Sequence, residues 1–389
     1  MKNQSLVIYY LSLVFCLAFF SCKQKEDSSI IQTHKDDLPV VIDTLVRDRV
    51  YYAQGFQVET LADYTLITIR NPWNPKLTLQ RYVLLPKAAA MPDSLPEGII
   101  IRTPIERTVS YGSVHCSFLD ELGVSATLVG VCEPRYINIP QIQEGIRSGR
   151  IANLGQSSNP DIEKITLIEP EVLFTAPIEG TGYGNQITQL GIPLIECTDY
   201  MESSPLGRAE WIRCLALFFD KGALADSLFM KTITNYNQLR KIANELSSRP
   251  TVMAETIYNG IWYVPGGNSY IAHFFRDAGA DYFWKEDTHT GSIGLSFESV
   301  LEKAEKANVW LIKYNSNKNL TYEDLAKDYP NYVFFEAYRQ KSIYACNTGK
   351  VPYYEELPLH PDYILKDMVW IFHPELLSDY QPRYYEKLK

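Results

Sequence analysis

No run of this sequence is rich in lysine or arginine; 37 basic residues face 46 acidic ones, for a formal charge of −9. A chain without a basic stripe has no footprint for a phosphate backbone, which argues against nucleic acid as a partner. Metal and redox signatures are equally scarce. None of the seven cysteines has C-x-x-C spacing, and none of the six histidines falls into H-E-x-x-H or a helical pair, so no metal site and no redox cofactor is predicted. The sequence has no G-x-S-x-G elbow and no S-x-x-K beside partner motifs, which leaves the common serine nucleophiles without a home. The glycine-rich stretch GTGYGN, residues 180–185, has neither the further glycine of a dinucleotide fingerprint nor a Walker lysine. It reads as a loop with Tyr183 at its tip.

Long apolar runs are also missing, apart from one at the start. Lys2 precedes Leu6 to Phe20, and Ser21-Cys22 closes that run before KQKEDSS turns polar. The run is short for a spanning helix and reads as an export signal, residues 1–21. With a cysteine at the expected cleavage point it resembles a bacterial lipoprotein signal, which implies cleavage before Cys22 and acylation there. Five cysteines then remain, Cys116, Cys132, Cys197, Cys214 and Cys346. Their odd number and spacing do not suggest a disulfide framework, and each reads as a small buried apolar residue.

What is present is enough apolar material, 46% of 389 residues, for two cores. After a polar linker at 22–40, residues 41–102 contain short β-rich runs such as YTLITIR and RYVLLP, bounded by NPWNP and Pro86. They predict a β-rich extension. From 103 to 219 strands alternate with short helices, which predicts an α/β lobe around a parallel sheet covered on both faces. Residues 220–248 hold one uninterrupted helical pattern, with Leu228, Ile233, Tyr236, Leu239 and Ala243 recurring at three to five residues. A helix of about 26 residues there, roughly 39 Å long at 1.5 Å per residue, suits a strut between domains. The strand-helix rhythm then resumes from 249 to 389 as a second α/β lobe.

Two further patterns bear on function. Aromatic residues follow predicted strands, where α/β sheets carry ligand-facing loops: Tyr111, Arg135-Tyr136, Trp262 and Tyr263. With Tyr183, and with His289 from the other half, they form the candidate ligand set. Secondly, Glu163 stands in the first turn of a helix begun by SNPD, and Glu298 in the first turn of one begun by Ser296; each helix leads into an apolar strand. A carboxylate there complements the helix dipole, so either glutamate alone is unremarkable. Their equivalent position in two repeated units is the informative part.

The segments ERTVSYGSVHCSFLDELG, NPDIEKITLIEPEVLF, LGIPLIEC, PLGRAEWIRCLALFFD, LSFESVLEKA and HPDYILKDMVWIFHPEL occur in this order between about Arg107 and Leu377. In order and spacing the chain resembles the periplasmic substrate-binding lipoproteins of ABC importers that handle iron–siderophore, haem and cobalamin chelates. The resemblance implies two Rossmann-like lobes joined by a single long helix, a chelate held between them, and no enzymatic turnover. It implies that Glu163 and Glu298 dock onto the two halves of an ABC permease with its ATPase. It further implies a lipid-anchored protein on the periplasmic face of a bacterial membrane, with surface exposure as the alternative. The β-rich extension lies outside the usual two-lobe core. Gly291, Ser292 and Ile293 stand where cobalamin binders often carry a tryptophan, which weakens a corrinoid reading; a ferric siderophore is preferred, with cobalamin or haem as the alternatives. A two-lobed chelate-processing enzyme is the rival reading; it requires an acid-base or redox constellation that the sequence lacks.

Overall fold

A computed structural model describes residues 48–180, 187 and 189–389. Cys22, the signal, the linker and Tyr183 lie outside the described residues. Among the described residues no helix is long and apolar enough to cross a membrane.

The described part of the chain begins with a four-stranded sheet: β1 (Phe56–Thr60), β2 (Thr65–Arg70), β3 (Thr78–Pro86) and β4 (Ile99–Thr103). The first three form an antiparallel meander and β4 runs parallel to β3. Alternation along the strands turns Phe56, Val58, Ile67 and Ile69 inward. Those side chains join the main apolar core, with the Phe56 ring edge-on to Trp211 at 5.1 Å. Tyr82 secures the contact with the next sheet. Its hydroxyl donates to the Leu194 carbonyl and accepts from the Glu196 amide, both at 2.8 Å.

The first lobe contains β5 (Thr108–Ser110), α1 (Ser113–Glu121), β6 (Leu128–Val131), α2 (Pro140–Arg147) and β7 (Ala152–Asn153). A ribbon of β8 (Gly155–Gln156) and β9 (Asn159–Pro160) leads to α3 (Ile162–Ile168), β10 (Val172–Thr175), β11 (Leu194–Glu196) and α4 (Pro205–Ala216). The sheet order is β11-β10-β5-β6-β7, and every pair is parallel. All four residues of β10 are buried, as a strand covered on both faces must be.

Two glutamates around α4 hold the chain that enters the extension. The Glu210 carboxylate, with no exposure, accepts backbone N–H groups of Tyr51, Tyr52 and Ala53 at 2.7–2.9 Å and the Arg213 guanidinium at 2.9 Å. Glu202 accepts those of Gln54 and Gly55, at 2.9 and 2.8 Å, and the Trp211 indole N–H at 3.0 Å. Burial pushes the Glu202 carboxyl above its usual range, against the pull of these donors. Charge-assisted hydrogen bonds counter the desolvation of both carboxylates, at Glu202 only in part.

Helix α5 (Gly222–Asn244) has 23 residues and spans about 35 Å; it stops short of the limit at 248 expected from the pattern. It packs against α4 and against a helix of the second lobe at Pro361–Phe372. That lobe comprises β12 (Thr251–Ala254), β13 (Ile257–Tyr258), β14 (Ile261–Pro265), α6 (Tyr270–Asp277), β15 (Asp281–Tyr282), β16 (Ser292–Leu295), α7 (Phe297–Ala304) and β17 (Val309–Tyr314). It continues with α8 (Tyr322–Asp328), α9 (Glu336–Arg339), β18 (Ile343–Asn347), α10 (Tyr353–Glu356), α11 (Pro361–Phe372) and β19 (Tyr385–Lys387). The main sheet, β15-β12-β17-β18-β19, is parallel except for its last strand, and β13-β14-β16 form an antiparallel side sheet. The architecture is α/β with two parallel sheets, a long helix between them in sequence, and an N-terminal β extension.

Candidate functional site

Parallel sheets present ligands to the loops beyond the C-terminal ends of their strands. In the first lobe β6 runs into Glu133, whose φ of +49° is left-handed, and then into a tight turn at Pro134–Tyr136. That turn leaves Tyr136 47% exposed with the Arg135 guanidinium 4.6 Å from its ring centroid. In the second lobe β12 runs into Glu255, also left-handed at φ +65°. Non-glycine residues in this region carry strain that surrounding contacts must hold in place. Here the Trp310 indole donates to the Glu255 carbonyl at 2.8 Å, and the Glu255 carboxylate pairs with Lys313 near the end of β17.

The Lys313–Glu255 pair is partly open, its side chains 17% and 25% exposed. Burial works against the charged Lys313 ammonium, but the neighbouring carboxylate outweighs it, and the lysine pKa is raised. Tyr354, just beyond β18, is 52% exposed. Partial burial raises its phenol pKa, while Lys313 pulls the other way and Glu255 and Cys346 reinforce the rise.

Each group neighbours, along its chain, a contact between the lobes. The Asn138 amide N–H and side-chain amide donate to the two oxygens of Glu355 at 2.8 and 2.7 Å. Tyr136 is two residues from Asn138 and Tyr354 one residue from Glu355, so roughly 7 Å and 4 Å of chain at most separate them from that contact. A second bridge joins His360 to Glu121 at 2.9 Å. The contact therefore has the exposed Tyr136 ring and its stacked guanidinium close by in sequence on one side and, on the other, the exposed Tyr354 ring beside the largely buried Lys313–Glu255 pair. Such a surface can grip a large organic ligand by stacking and charge, without covalent chemistry.

Of the ligand set expected from sequence, Arg135 and Tyr136 stand at this junction. Four others do not. Tyr111 is 4% exposed and plugs a small apolar cluster with Val109, Cys132 and Leu173. Trp262 is fully buried: its indole donates to the Ala254 carbonyl at 2.9 Å and its ring packs on Trp310, Tyr332 and Phe335. The period of two explains this, because β14 sends Trp262 and Val264 inward and Tyr263 outward. Tyr263, 44% exposed, lies instead on the outer face of the side sheet with Tyr258 and Ile261. His289 is exposed in the loop between β15 and β16 and contacts the Asp287 carboxylate at 3.0 Å. The junction between the lobes also involves Glu255, Lys313, Tyr354 and Glu355, which the sequence reading did not single out. The available signal was a polar residue closing an otherwise apolar strand pattern, as in VWLIKY. Among the described residues, no group of three His, Cys, Asp or Glu side chains is placed to hold a metal ion.

The paired glutamates occupy matching local settings. Asp161 caps α3 by accepting the Lys164 amide at 3.0 Å, and Ser296 caps α7 by accepting that of Ser299 at 3.2 Å. Glu163 and Glu298 lie exposed in these first turns. Each helix follows an antiparallel β element and leads into a strand, β10 or β17, paired with the first strand of its lobe.

The family described as Periplasmic binding protein matches residues 109–348. Two uncharacterised lipoproteins of Methanocaldococcus jannaschii are similar in sequence. One is 27% identical over 80% of this chain and 76% of its own length, the other 25% identical over 79% and 80%. A periplasmic binding protein of Veillonella parvula shares the fold with a TM-score of 0.58 at 12% identity, over 70% of this chain and 93% of that one. A possible iron-binding periplasmic solute-binding protein of Staphylococcus epidermidis gives 0.56 at 15%, over 69% and 99%. A periplasmic heme-binding protein of Pseudomonas aeruginosa gives 0.53 at 18%, over 69% and 93%. The family match, extending from the first parallel strand of one lobe past the central strands of the other, makes this chain a member of the periplasmic binding protein family.

Proposed function

We propose that this protein is the substrate-binding lipoprotein of an ABC importer, tethered through acylated Cys22 to a bacterial membrane on its periplasmic side. On this reading it captures an iron(III)–siderophore-type chelate at the lobe junction and delivers it to the permease without turning it over. The observation that carries the reading is the repeat of one exposed first-turn glutamate per lobe within a chain of this family. Two like acidic knobs, one on each lobe, suit a partner built of two like halves with basic pockets, where charge complementarity sets register. The lipoprotein names of the sequence relatives support the anchor. The exposed rings of Tyr136 and Tyr354 and the Arg135 guanidinium support a bulky, polar organic ligand, and they form the proposed contact set.

The test is reconstituted transport. Glu163→Arg combined with Glu298→Arg should abolish chelate-dependent uptake and leave chelate affinity within about twofold. Loss of affinity with transport per bound chelate unchanged would move these glutamates from the permease contact to the ligand and refute the docking assignment. A tryptophan-fluorescence titration against ferric siderophores, haem and cobalamin identifies the chelate class. Binding of cobalamin or haem alone would replace the ferric siderophore.

A further inference from the structure

The ion pair between Lys313 and Glu255 is unusual in its location. Buried pairs that merely stabilise a fold are enclosed, because every exposed edge weakens their Coulomb attraction. This one stands at the C-terminal ends of two adjacent parallel strands, with both side chains still open to solvent. The carboxylate is presented from a left-handed residue, whose backbone is held by the Trp310 indole. Tyr354 is close enough to feel both charges and is half exposed. The neighbouring contact to Asn138 brings Arg135 and Tyr136 of the other lobe to the same junction. The two cations and two exposed tyrosines thus flank the Asn138–Glu355 contact, Arg135 and Tyr136 from one lobe and Lys313 and Tyr354 from the other, and the charge of Lys313 is already taken by Glu255.

We propose that Glu255 is a placeholder counterion: in the empty protein it neutralises Lys313, and an anionic chelate takes its place on the ammonium, with Arg135 meeting the ligand from the other lobe. This rests on the reading of the protein as a chelate receptor and narrows the ligand to one carrying net negative charge, such as a ferric tris-catecholate. A neutral ferric hydroxamate has nothing to gain from Lys313. The placeholder has a physical use. A lone ammonium in a half-buried site is costly, and a resident carboxylate keeps it charged and oriented until the ligand arrives. The same carboxylate competes with the ligand, so selectivity against weakly charged chelates follows from it.

The two roles of the pair give opposite signs. If Glu255 only holds Lys313 for the ligand, Glu255→Gln removes a competitor and tightens an anionic chelate by about three- to tenfold. If the pair is a structural clamp, the same change weakens binding. Because Lys313→Gln alone strands a carboxylate and is at risk of misfolding, the partner variant is the double change E255Q/K313Q, which leaves no lone charge. The experiment is fluorescence titration of the full mature chain with a ferric tris-catecholate and with a neutral ferric trihydroxamate. Folding of each variant is checked by circular dichroism.

The expected result is tighter catecholate binding for E255Q, at least tenfold weaker binding than wild type for the double variant, and hydroxamate binding indifferent to both. Weaker binding in E255Q that the double variant restores would make the pair structural and overturn the proposal, leaving the receptor reading intact. So would a wild-type protein that binds only the neutral chelate. If wild type binds no ferric chelate, haem or cobalamin at all, the receptor reading falls and the placeholder with it.

Discussion

Replacing Glu210 with alanine tests whether the N-terminal extension is held by a carboxylate or by its apolar face. The side chain is fully buried and accepts three successive backbone N–H groups, those of Tyr51, Tyr52 and Ala53, together with Arg213. Not all four donors are stranded when it is removed. Arg213 keeps Asp226 at 2.6 Å and the Arg49 carbonyl at 2.7 Å, and Tyr51 is only half-buried and can turn to water. Tyr52 and Ala53, at 7% and 4% exposure, have little access to water. Two buried orphaned donors at about 1–3 kcal/mol each give a loss of about 4 kcal/mol. That is a large share of a typical stability of about 5–15 kcal/mol. Glu210→Gln retains one acceptor oxygen but turns an N–H pair toward other N–H donors, so it should recover only part of the loss. Urea unfolding of the mature chain measures the total. Hydrogen exchange at residues 51–60 shows whether the loss is local, with the extension opening first. A loss below about 1 kcal/mol for Glu210→Ala, with unchanged protection of the Tyr52 and Ala53 amides, would refute the reasoning. The apolar face of Phe56, Ile67 and Tyr82 would then hold the sheet on its own.

Two adjacent side chains on β14 should behave oppositely. Trp262→Ala opens a cavity among Trp310, Tyr332 and Phe335 and should cost about 3–5 kcal/mol, whereas Tyr263→Ala, on the outer face, should stay within about 0.5 kcal/mol. Denaturant midpoints of the two variants decide it. Glu355 gives a pH test at the lobe junction. Burial raises its carboxyl pKa, only partly countered by Asn138, so the folded state binds a proton that the unfolded chain has released. Its contribution is fully present below the ordinary value of 4.5 and is lost as pH rises through the raised one. Glu355→Gln should therefore remove a decline in stability on going upward from about pH 4.5, measured as the difference in urea midpoint between wild type and variant at several pH values.

The lobes, the long helix and the repeated glutamates were readable because they rest on local chemistry. Strand and helix periods fixed the alternation; Asp161 and Ser296 are capping residues that mark where α3 and α7 begin, and a glutamate follows each in the first turn. Which residues of the candidate ligand set face outward was not legible, for an identifiable reason. Trp262 and Tyr263 are adjacent in a strand, and a one-residue shift exchanges core for surface. Nothing in IWYVP alone decides which ring goes in, because both are large and aromatic. That choice comes from the neighbouring strand, where Leu295 pairs with Trp262 and Gly294 with Tyr263. Tyr111 follows a strand just as Arg135 does, yet it turns into a cluster closed by Cys132, Leu154 and Leu173, residues from three other segments.

By itself the sequence determined the element order, the doubling of an α/β unit around one long helix, the acidic character of the surface, and the family to which these belong. Only the tertiary structure decided that Tyr82 and two buried glutamates lock the extension onto the first lobe, and that Asn138 finds Glu355 across 217 residues. It also paired Lys313 with Glu255, at the end of the adjacent strand. The difference is one of range. Periods, caps and turns are set by neighbours three or four residues away, whereas a carboxylate's partner is chosen by which distant backbone amide or cation the folded chain leaves without another.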